Sequence, residues 1–587
     1  MINNLRLSPA QQVAVFRVLA LITSVLVAVS AYVSRFRLNP DGISYLSIAK
    51  QYAAGQFDTA INGWLPPMIS WLTAPFIRLG IDAQQAFFFI NWLTAIFILL
   101  FGMRLVWKHT KNFWATVMYW AIASPFLIEV VGRSITSDVM AVAWVLVLFS
   151  LLIWAEDQMK KYSAKNYLKV ATALGVWGAI GFLTKTFLLF FFPAAIFAWT
   201  VARVWSNFGK IKGFFNRRFF DQYLRVPVLT ALVFFLTMAP WILLMSAKYD
   251  TFTVSSSFSY HSENLAELPK DSKENAIPDR QLTPPPHENA VSADEDLTYQ
   301  SSATDSGDKL SKRQILRNYL SERYEIMRIQ FNDYNRISPM IFISTAGVLL
   351  ALFLGFISYK KHKTLLISAL LIGVYFFGYV AAKARLGTDV TSGEQRYQWP
   401  TLILAAIIIA ETLPMLWRRV ANKDVVRQTV FVLLAIAIPV SIFIRYMPSS
   451  EDLFTTPPVS PERSIVEQIK ETGLIAEDSK IAGNVARPLR TMAFLLDSQS
   501  YGSIGAADFL STDVQNKINE YDIDYYFNFT PTTEGVTLNV GSTGAERITS
   551  FYLEDYRCRD VRYGKYGAGI PPEDCTIELF KLNNNVD

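Results

Sequence analysis

The chain has 587 residues, of which 52 % are apolar, 14 % aromatic and only 18 % charged. A soluble chain of this length carries about a quarter charged residues, and the deficit is local: apolar runs crowd residues up to about 247 and 339–447, while 250–338 and 450–587 read as water-soluble sequence. The net charge of +6 does not mark a nucleic-acid binder, because the basic residues flank apolar runs and so set orientation in a membrane; with two cysteines, four scattered histidines and no Cys-x-x-Cys, no metal site is expected.

The first apolar run, 13–33, follows an almost uncharged start and lacks a small-residue cleavage site, so it reads as a retained helix rather than a signal peptide. About 20 apolar residues cross a bilayer. Further runs lie near 84–106, 113–131, 137–155, 168–183, 186–204, 226–246, 339–358, 364–382, 399–417 and 428–447, which makes about eleven transmembrane helices. The fifth and sixth are short and parted only at Thr184-Lys185-Thr186. Together they exceed one crossing, so two helices meeting at a buried lysine are expected.

Segments 1–12, 107–112, 156–167, 203–225, 359–363 and 418–427 collect Lys and Arg, among them Lys108, Lys160, Arg217, Lys361 and Arg418. The positive-inside rule places them, and the N-terminus, in the cytoplasm. Eleven crossings then leave 448–587 outside. The outer loop 34–83 holds two stretches with helical apolar spacing, Ser44–Ala54 and Pro67–Leu79, which suit helices lying on the membrane surface. The outer loop 250–338 contains a Pro-, Ser- and acid-rich stretch, 269–309, that composition marks as disordered, then a helical pattern over 311–331. The acidic part, 263–308, is read as a solvated linker, with a lid as the sharper alternative.

The tail alternates strand-like runs (Lys480–Val485, Ile523–Phe527, Thr576–Lys581) with helical ones (Ile465–Thr472, Asp513–Tyr521), which predicts a small α/β domain. Cys558 and Cys575 lie there and enclose 16 residues. A disulfide between them would stabilise the tail by about 3 kcal/mol in the chain-entropy model. The expected architecture is a polytopic α-helical membrane domain, 1–447, followed by an extracytoplasmic α/β domain, 448–587.

Charged groups at membrane depth are costly and mark function by default. On the expected outer face these are Asp41, Arg133, Asp138, Lys185, Glu394 and Arg396. Carboxylates can accept a proton or hold hydroxyls. Cations can hold a phosphate and stabilise it as it departs. The inventory suits a reaction whose leaving group is a lipid phosphate.

Asn39-Pro40-Asp41-Gly42-Ile43-Ser44-Tyr45 follows the first helix, then Gly55 and Gly63-Trp64-Leu65-Pro66-Pro67. Arg133-Ser-Ile-Thr-Ser-Asp138 opens the fourth span, Gly178-Ala-Ile-Gly-Phe-Leu-Thr-Lys185 closes the fifth, and Glu394-Gln-Arg396-Tyr397 precedes Trp399-Pro400. In this order and topology the motifs resemble the C-type (GT-C) glycosyltransferase superfamily, nearest the protein O-mannosyltransferases and the lipid A aminoarabinose transferases. The resemblance covers 1–447 and implies a GT-C-like fold and a membrane enzyme. That enzyme would take a sugar from a polyprenyl- or dolichyl-phosphate donor to a lipid, polysaccharide or protein acceptor, inverting the anomeric centre without a metal or other cofactor. Asp41 would be the general base. Asp138 would hold the acceptor or orient the sugar. Arg133, Lys185 and Arg396 would grip the phosphate, with Glu394, Tyr45 and Tyr397 lining the substrate.

Two positions depart from the relatives. Gly42 stands where the mannosyltransferases have a glutamate after the aspartate, and Leu65 stands where the aminoarabinose transferases have a lysine. Each candidate also has a plainer explanation. Asp41 and Asp138 can cap helices, Arg133 can anchor lipid headgroups, and Glu394 with Arg396 can form a loop ion pair. The competing function is a lipid or solute transporter or flippase. A bacterial or archaeal plasma membrane is the expected location. Asn528-Phe529-Thr530 is an N-glycosylation sequon of a kind frequent by chance.

Overall fold

The computed structural model describes residues 7–36, 38–133, 135–159, 164–206, 223–255, 365–375, 399–420, 461–503, 509, 512–532, 545–556 and 573–582, with isolated helical residues between 428 and 444. The acidic loop 263–308, the helical pattern 311–331 and the expected span 339–358 lie outside the described residues.

Helix α1 (Pro9–Val33) opens on a capping box. The Gln11 N–H donates to Ser8 Oγ at 3.3 Å, and the Ser8 N–H donates to Gln11 Oε1 at 2.8 Å. Three shorter helices follow: α2 (Pro40–Ala54), α3 (Phe57–Ala60) and α4 (Met68–Arg78). The bundle continues with α5 (Ala83–Thr110), α6 (Phe113–Arg133), α7 (Asp138–Met159), α8 (Ala164–Thr184), α9 (Leu188–Ser206) and α10 (Arg225–Lys248). The shorter α11 (Leu365–Tyr375) and the long α12 (Trp399–Val420) complete it. Among the described residues eight helices are long and apolar enough to cross a membrane: α1, α5 to α10 and α12. They coincide with eight of the expected spans, and α11 falls at the start of a ninth. The expected break at Thr184-Lys185-Thr186 is present, because α8 stops at Thr184 and α9 starts at Leu188.

Helices α6, α7 and α12 form the most enclosed part of the bundle, while α1 and α10 turn apolar side chains such as Leu21 and Leu243 outward. In lipid, helices associate by close packing and by polar bonds rather than by apolar burial. Ser30 Oγ donates to the Ile128 carbonyl at 2.8 Å, and Trp120 Nε1 donates to Thr23 Oγ1 at 2.9 Å, tying α1 to α6. Trp92 Nε1 donates to the Ser24 carbonyl at 3.0 Å and ties α1 to α5.

Helix α4 keeps one face in the bundle through Ile69, Ser70, Thr73 and Ala74 and leaves Trp71 and Leu72 exposed, as expected of a surface-lying helix. Helix α2 does not fit that expectation. Ile43, Tyr45, Leu46, Ser47, Ile48 and Ala49 are each at most 5 % exposed, so its middle turns are covered on all sides.

The C-terminal part runs α13 (Pro461–Thr472), β1 (Lys480–Gly483), α14 (Ala486–Leu496), β2 (Gln499–Ser503), α15 (Thr512–Tyr521), β3 (Tyr525–Pro531), β4 (Glu546–Tyr556) and β5 (Glu573–Lys581). The strands form one mixed sheet in the order β2-β1-β3-β5-β4. The β2, β1 and β3 strands are parallel, as βαβ crossovers demand; β5 runs antiparallel to both β3 and β4. Alternation along the strands divides the core. Ile481, Phe527 and Leu579 meet α13 and α14 on one face, and Ala482, Tyr526 and Phe580 meet Ile518 of α15 on the other. This is the α/β unit the sequence predicts. It docks on the α2 end of the bundle through α14, while Arg463 of α13 lies 4.8 Å from the Phe36 ring centre.

Candidate active site

Helix α2 starts at Pro40, whose ring presets the backbone angle of a first helical residue. Asn39 is the N-cap residue, so Asp41 is not the cap. Asp41 lies in the first turn, where the positive end of the helix dipole favours a carboxylate. Two bonds flank it and fasten α2 to the α6–α7 connection. The Ile135 N–H donates to Asn39 Oδ1 at 3.0 Å, and the Tyr45 hydroxyl lies 3.0 Å from Ser137 Oγ. Between them, Gly42 sits against Ile135. A Cβ there would stand 2.7 Å from Ile135 Cβ and 3.0 Å from the Ile135 carbonyl oxygen. A side chain at position 42 thus has no space, because Ile135 and the Asn39 side chain fill it.

Asp138 is the first residue of α7, and the Ser137 carbonyl accepts the first intrahelical bond, from the Ala141 N–H at 3.0 Å. Lys185 follows the last residue of α8. Its N–H donates to the Gly181 carbonyl at 2.9 Å, and its carbonyl accepts from Leu188 N–H at 2.9 Å, so it bridges the two helices. The Lys185 ammonium and the Asp138 carboxylate form a direct ion pair, with Asp138 3 % exposed. Each charge meets the helix end that suits it, the acid at an N-terminus and the base at a C-terminus.

The sequence expectation gave Lys185 to a phosphate and Asp138 to acceptor or sugar; the structure brings the two together, next to Ser137 and the α2 contact. The glycines before Lys185 are explained by packing. A Cβ on Gly181 would collide with Trp144, and one on Gly178 with Phe192.

Arg133 closes α6. Glu394, Arg396, Tyr397 and Cys558 lie outside the described residues. Cys575 is buried in β5, and among the described residues no cysteine is free. Asn528 of the sequon is fully buried in β3 and donates to Glu578 Oε2 at 3.2 Å, so it is not a surface acceptor for glycan.

Sequence reasoning missed the residues that shape the Gly63–Pro67 segment. Asn62 Oδ1 accepts from the Trp64 and Leu65 N–H groups, both at 2.8 Å. The Gly63 N–H donates to the Tyr249 hydroxyl at 3.1 Å, and Lys248 Nζ donates to the Ile61 carbonyl at 2.5 Å. The Asn immediately before Gly63, a residue type that favours turns, was a readable signal; Lys248 and Tyr249 were not, since they come from the far end of α10. Burial pushes the Tyr52 phenol of α2 up to about 12, so it remains neutral at neutral pH.

The membrane bundle with its docked α/β domain makes the chain an integral multi-pass membrane protein with a GT-C-like fold. The solved structures it resembles include ArnT from Cupriavidus metallidurans bound to undecaprenyl phosphate. That match has a TM-score of 0.54 and 12 % identity, and covers 97 % of this chain and 98 % of ArnT. The oligosaccharyltransferase of Archaeoglobus fulgidus in its apo form matches with a TM-score of 0.53 and 11 % identity, over 96 % of this chain and 75 % of that one. The sequence matches no protein-family model and no curated protein.

Proposed function

We propose that the chain is a glycosyltransferase that moves a sugar from a polyprenyl-phosphate-linked donor to an acceptor hydroxyl on the extracytoplasmic side, with inversion. The observation that carries this reading is the buried Asp138–Lys185 pair set at a helix break and tied through Ser137 and Tyr45 to the helix of Asp41. The fold is shared with ArnT solved with undecaprenyl phosphate, and with an archaeal oligosaccharyltransferase solved with an inhibitory peptide and a dolichol-phosphate. Both support a lipid-phosphate donor over the transporter alternative.

In this mechanism Asp41 accepts the proton of the acceptor hydroxyl as its oxygen attacks the anomeric carbon. The bond from that carbon to the phosphate oxygen breaks, and the polyprenyl phosphate leaves with the electron pair. Attack opposite the leaving group inverts the centre. Asp138 orients the Lys185 ammonium, and Lys185 with Arg133 and Arg396 stabilises the departing phosphate. Tyr45, Glu394 and Tyr397 contact sugar or prenyl chain. The scheme invokes no metal.

The C-terminal domain and the loop 34–83 share one end of the bundle, which fits an odd number of crossings and a cytoplasmic N-terminus. A disulfide from Cys575 to Cys558 belongs to the same reading, because it persists only in an oxidising compartment. Its reduction should cost the C-terminal domain about 3 kcal/mol, read as a lower unfolding midpoint under reductant. An unchanged midpoint removes the disulfide.

The test of the whole reading is transfer from a panel of radiolabelled polyprenyl-phosphate sugars in membranes holding wild type or Asp41→Asn. Label should move to a new acceptor with wild type only. No transfer from any donor, with the host's acceptor present, overturns the proposal.

A further inference from the structure

The burial of α2 comes from two sides, the membrane bundle and the C-terminal domain. On one side α2 meets α4 and α5: the Tyr45 ring lies 6.4 Å from that of Phe87, and Ser70 Oγ donates to the Tyr45 carbonyl at 3.0 Å. On another it meets α14 of the C-terminal domain. Lys50, two turns after Ile43 on the same helix face, makes that contact. Its ammonium pairs with Asp497 Oδ1 at 2.5 Å and lies 4.4 Å from the Phe494 ring centre. Asp497 can reach it because it ends α14 in the left-handed conformation, at φ 55°. Leu489, Met492, Ala493 and Leu496 of α14 serve the domain's own core, whereas Phe494 packs against the core of the membrane bundle. A second contact runs the other way. Arg463 of α13 donates to Gln84 Oε1 at 3.4 Å, at the start of α5, and stacks over Phe36 beyond the end of α1.

From this we infer that the C-terminal domain is part of the catalytic unit: it clamps α2 against the bundle, and Lys50 is the positioning residue through which it fixes Asp41 and Tyr45. Asp41 and Lys50 belong to one 15-residue helix, and a short helix moves as a rigid body. Its N-terminal end is pinned by two bonds to the α6–α7 connection, and its C-terminal half by the domain. Asp41 lies at the first clamp, so release of the second lets α2 tilt about it and re-aims the Asp41 carboxylate without touching the Asp138–Lys185 pair. The inference rests on the transferase reading for its kinetic part, and on structure alone for its docking part.

The full-length protein in lipid nanodiscs tests both parts, with Lys50→Glu, Asp497→Lys, the double reversal Lys50→Glu/Asp497→Lys, and Lys50→Arg. Each single reversal should lower kcat about fivefold, the size expected of a half-exposed pair, with donor KM unchanged. The double reversal and Lys50→Arg should restore the wild-type rate. Amide exchange across α2 should rise in the single variants and return in the double. Wild-type kcat in the single reversals, or no recovery in the double, overturns the positioning role. If wild type itself transfers no sugar, the transferase reading has failed, and exchange alone decides the docking: protection lost in Lys50→Glu sustains it, and identical exchange overturns it.

Discussion

The two ends of the membrane bundle both bury pairs of an acid with a basic side chain, and they use them differently. At the end away from the C-terminal domain, His109 Nδ1 of α5 lies 2.8 Å from Glu411 Oε1 of α12, and Arg203 Nε of α9 lies 3.1 Å from Glu156 Oε1 of α7. Arg203 also stacks near Trp199 and Tyr223. Each of these pairs joins continuous helices side by side. At the domain end, Asp138 and Lys185 sit where one helix begins and another breaks, beside a helix carrying a further acid in its first turn. Burial of a charge pair is therefore no mark of function by itself, since the desolvation of both charges offsets much of their attraction. Interrupted backbone and an extra titratable group are what separate the domain end from the other.

The largest effect should come from that extra group. Asp41→Asn keeps shape and loses the proposed base, so kcat should fall by about 10²–10⁴-fold with donor affinity unchanged. Single-turnover transfer together with donor binding measures both. Transfer at the wild-type rate removes Asp41 from the chemistry and leaves the two ends equivalent.

Next come the pairs. Breaking one by removing a single partner leaves a buried charge and should cost about 3–5 kcal/mol at either end. Lys185→Ala and Glu156→Ala should thus lower the thermal midpoint alike. The double replacements separate them. Asp138→Asn/Lys185→Met should regain most of the midpoint and none of the transfer, whereas Glu156→Gln/Arg203→Met should regain both. Loss of transfer in the second double variant would erase the distinction between the ends.

Legibility followed the same division. Eight of the expected spans were readable because apolar length is a strong local signal, and the break at Lys185 because a lone lysine interrupts it. The runs Lys480–Val485, Ile523–Phe527 and Thr576–Lys581 were readable as strands, and they overlap β1, β3 and β5. Strands β2 and β4 and helix α14 were not, because Gln499–Ser503 is polar and Glu546–Tyr556 gains its partners only by pairing with β5. At the site, Asp41, Asp138 and Lys185 stood out as charges beside apolar sequence. Their pairing did not, since 47 positions separate Asp138 from Lys185 and nothing local couples them. The burial of α2 was also invisible, because its cover comes from α4 and α5 and, at Lys50, from Phe494 and Asp497 far along the chain.

The smallest effect is expected at Gly42, and it probes how tightly the base is placed. A methyl group there meets Ile135 Cβ and Asn39 Oδ1, both at 2.7 Å, and the Ile135 carbonyl oxygen at 3.0 Å. Backbone cannot rotate aside as a flexible side chain can, so Gly42→Ala must push the start of α2 away from the α6–α7 connection. Overpacking of this kind costs about 1–3 kcal/mol, which the many other contacts of α2 can absorb without unfolding. The Asn39–Ile135 bond lengthens, and Asp41, its neighbour by two residues, moves with it. Lys185 rests on α8 and α9 and stays in place. Gly42→Ala should therefore lower kcat and spare donor KM, while Gly42→Glu, which adds a second acid beside Asp41, should be worse than Ala rather than better. If the glutamate raised transfer, the packing against Ile135 would not be what excludes a second acid, and the domain end would owe less to its backbone than to its charges.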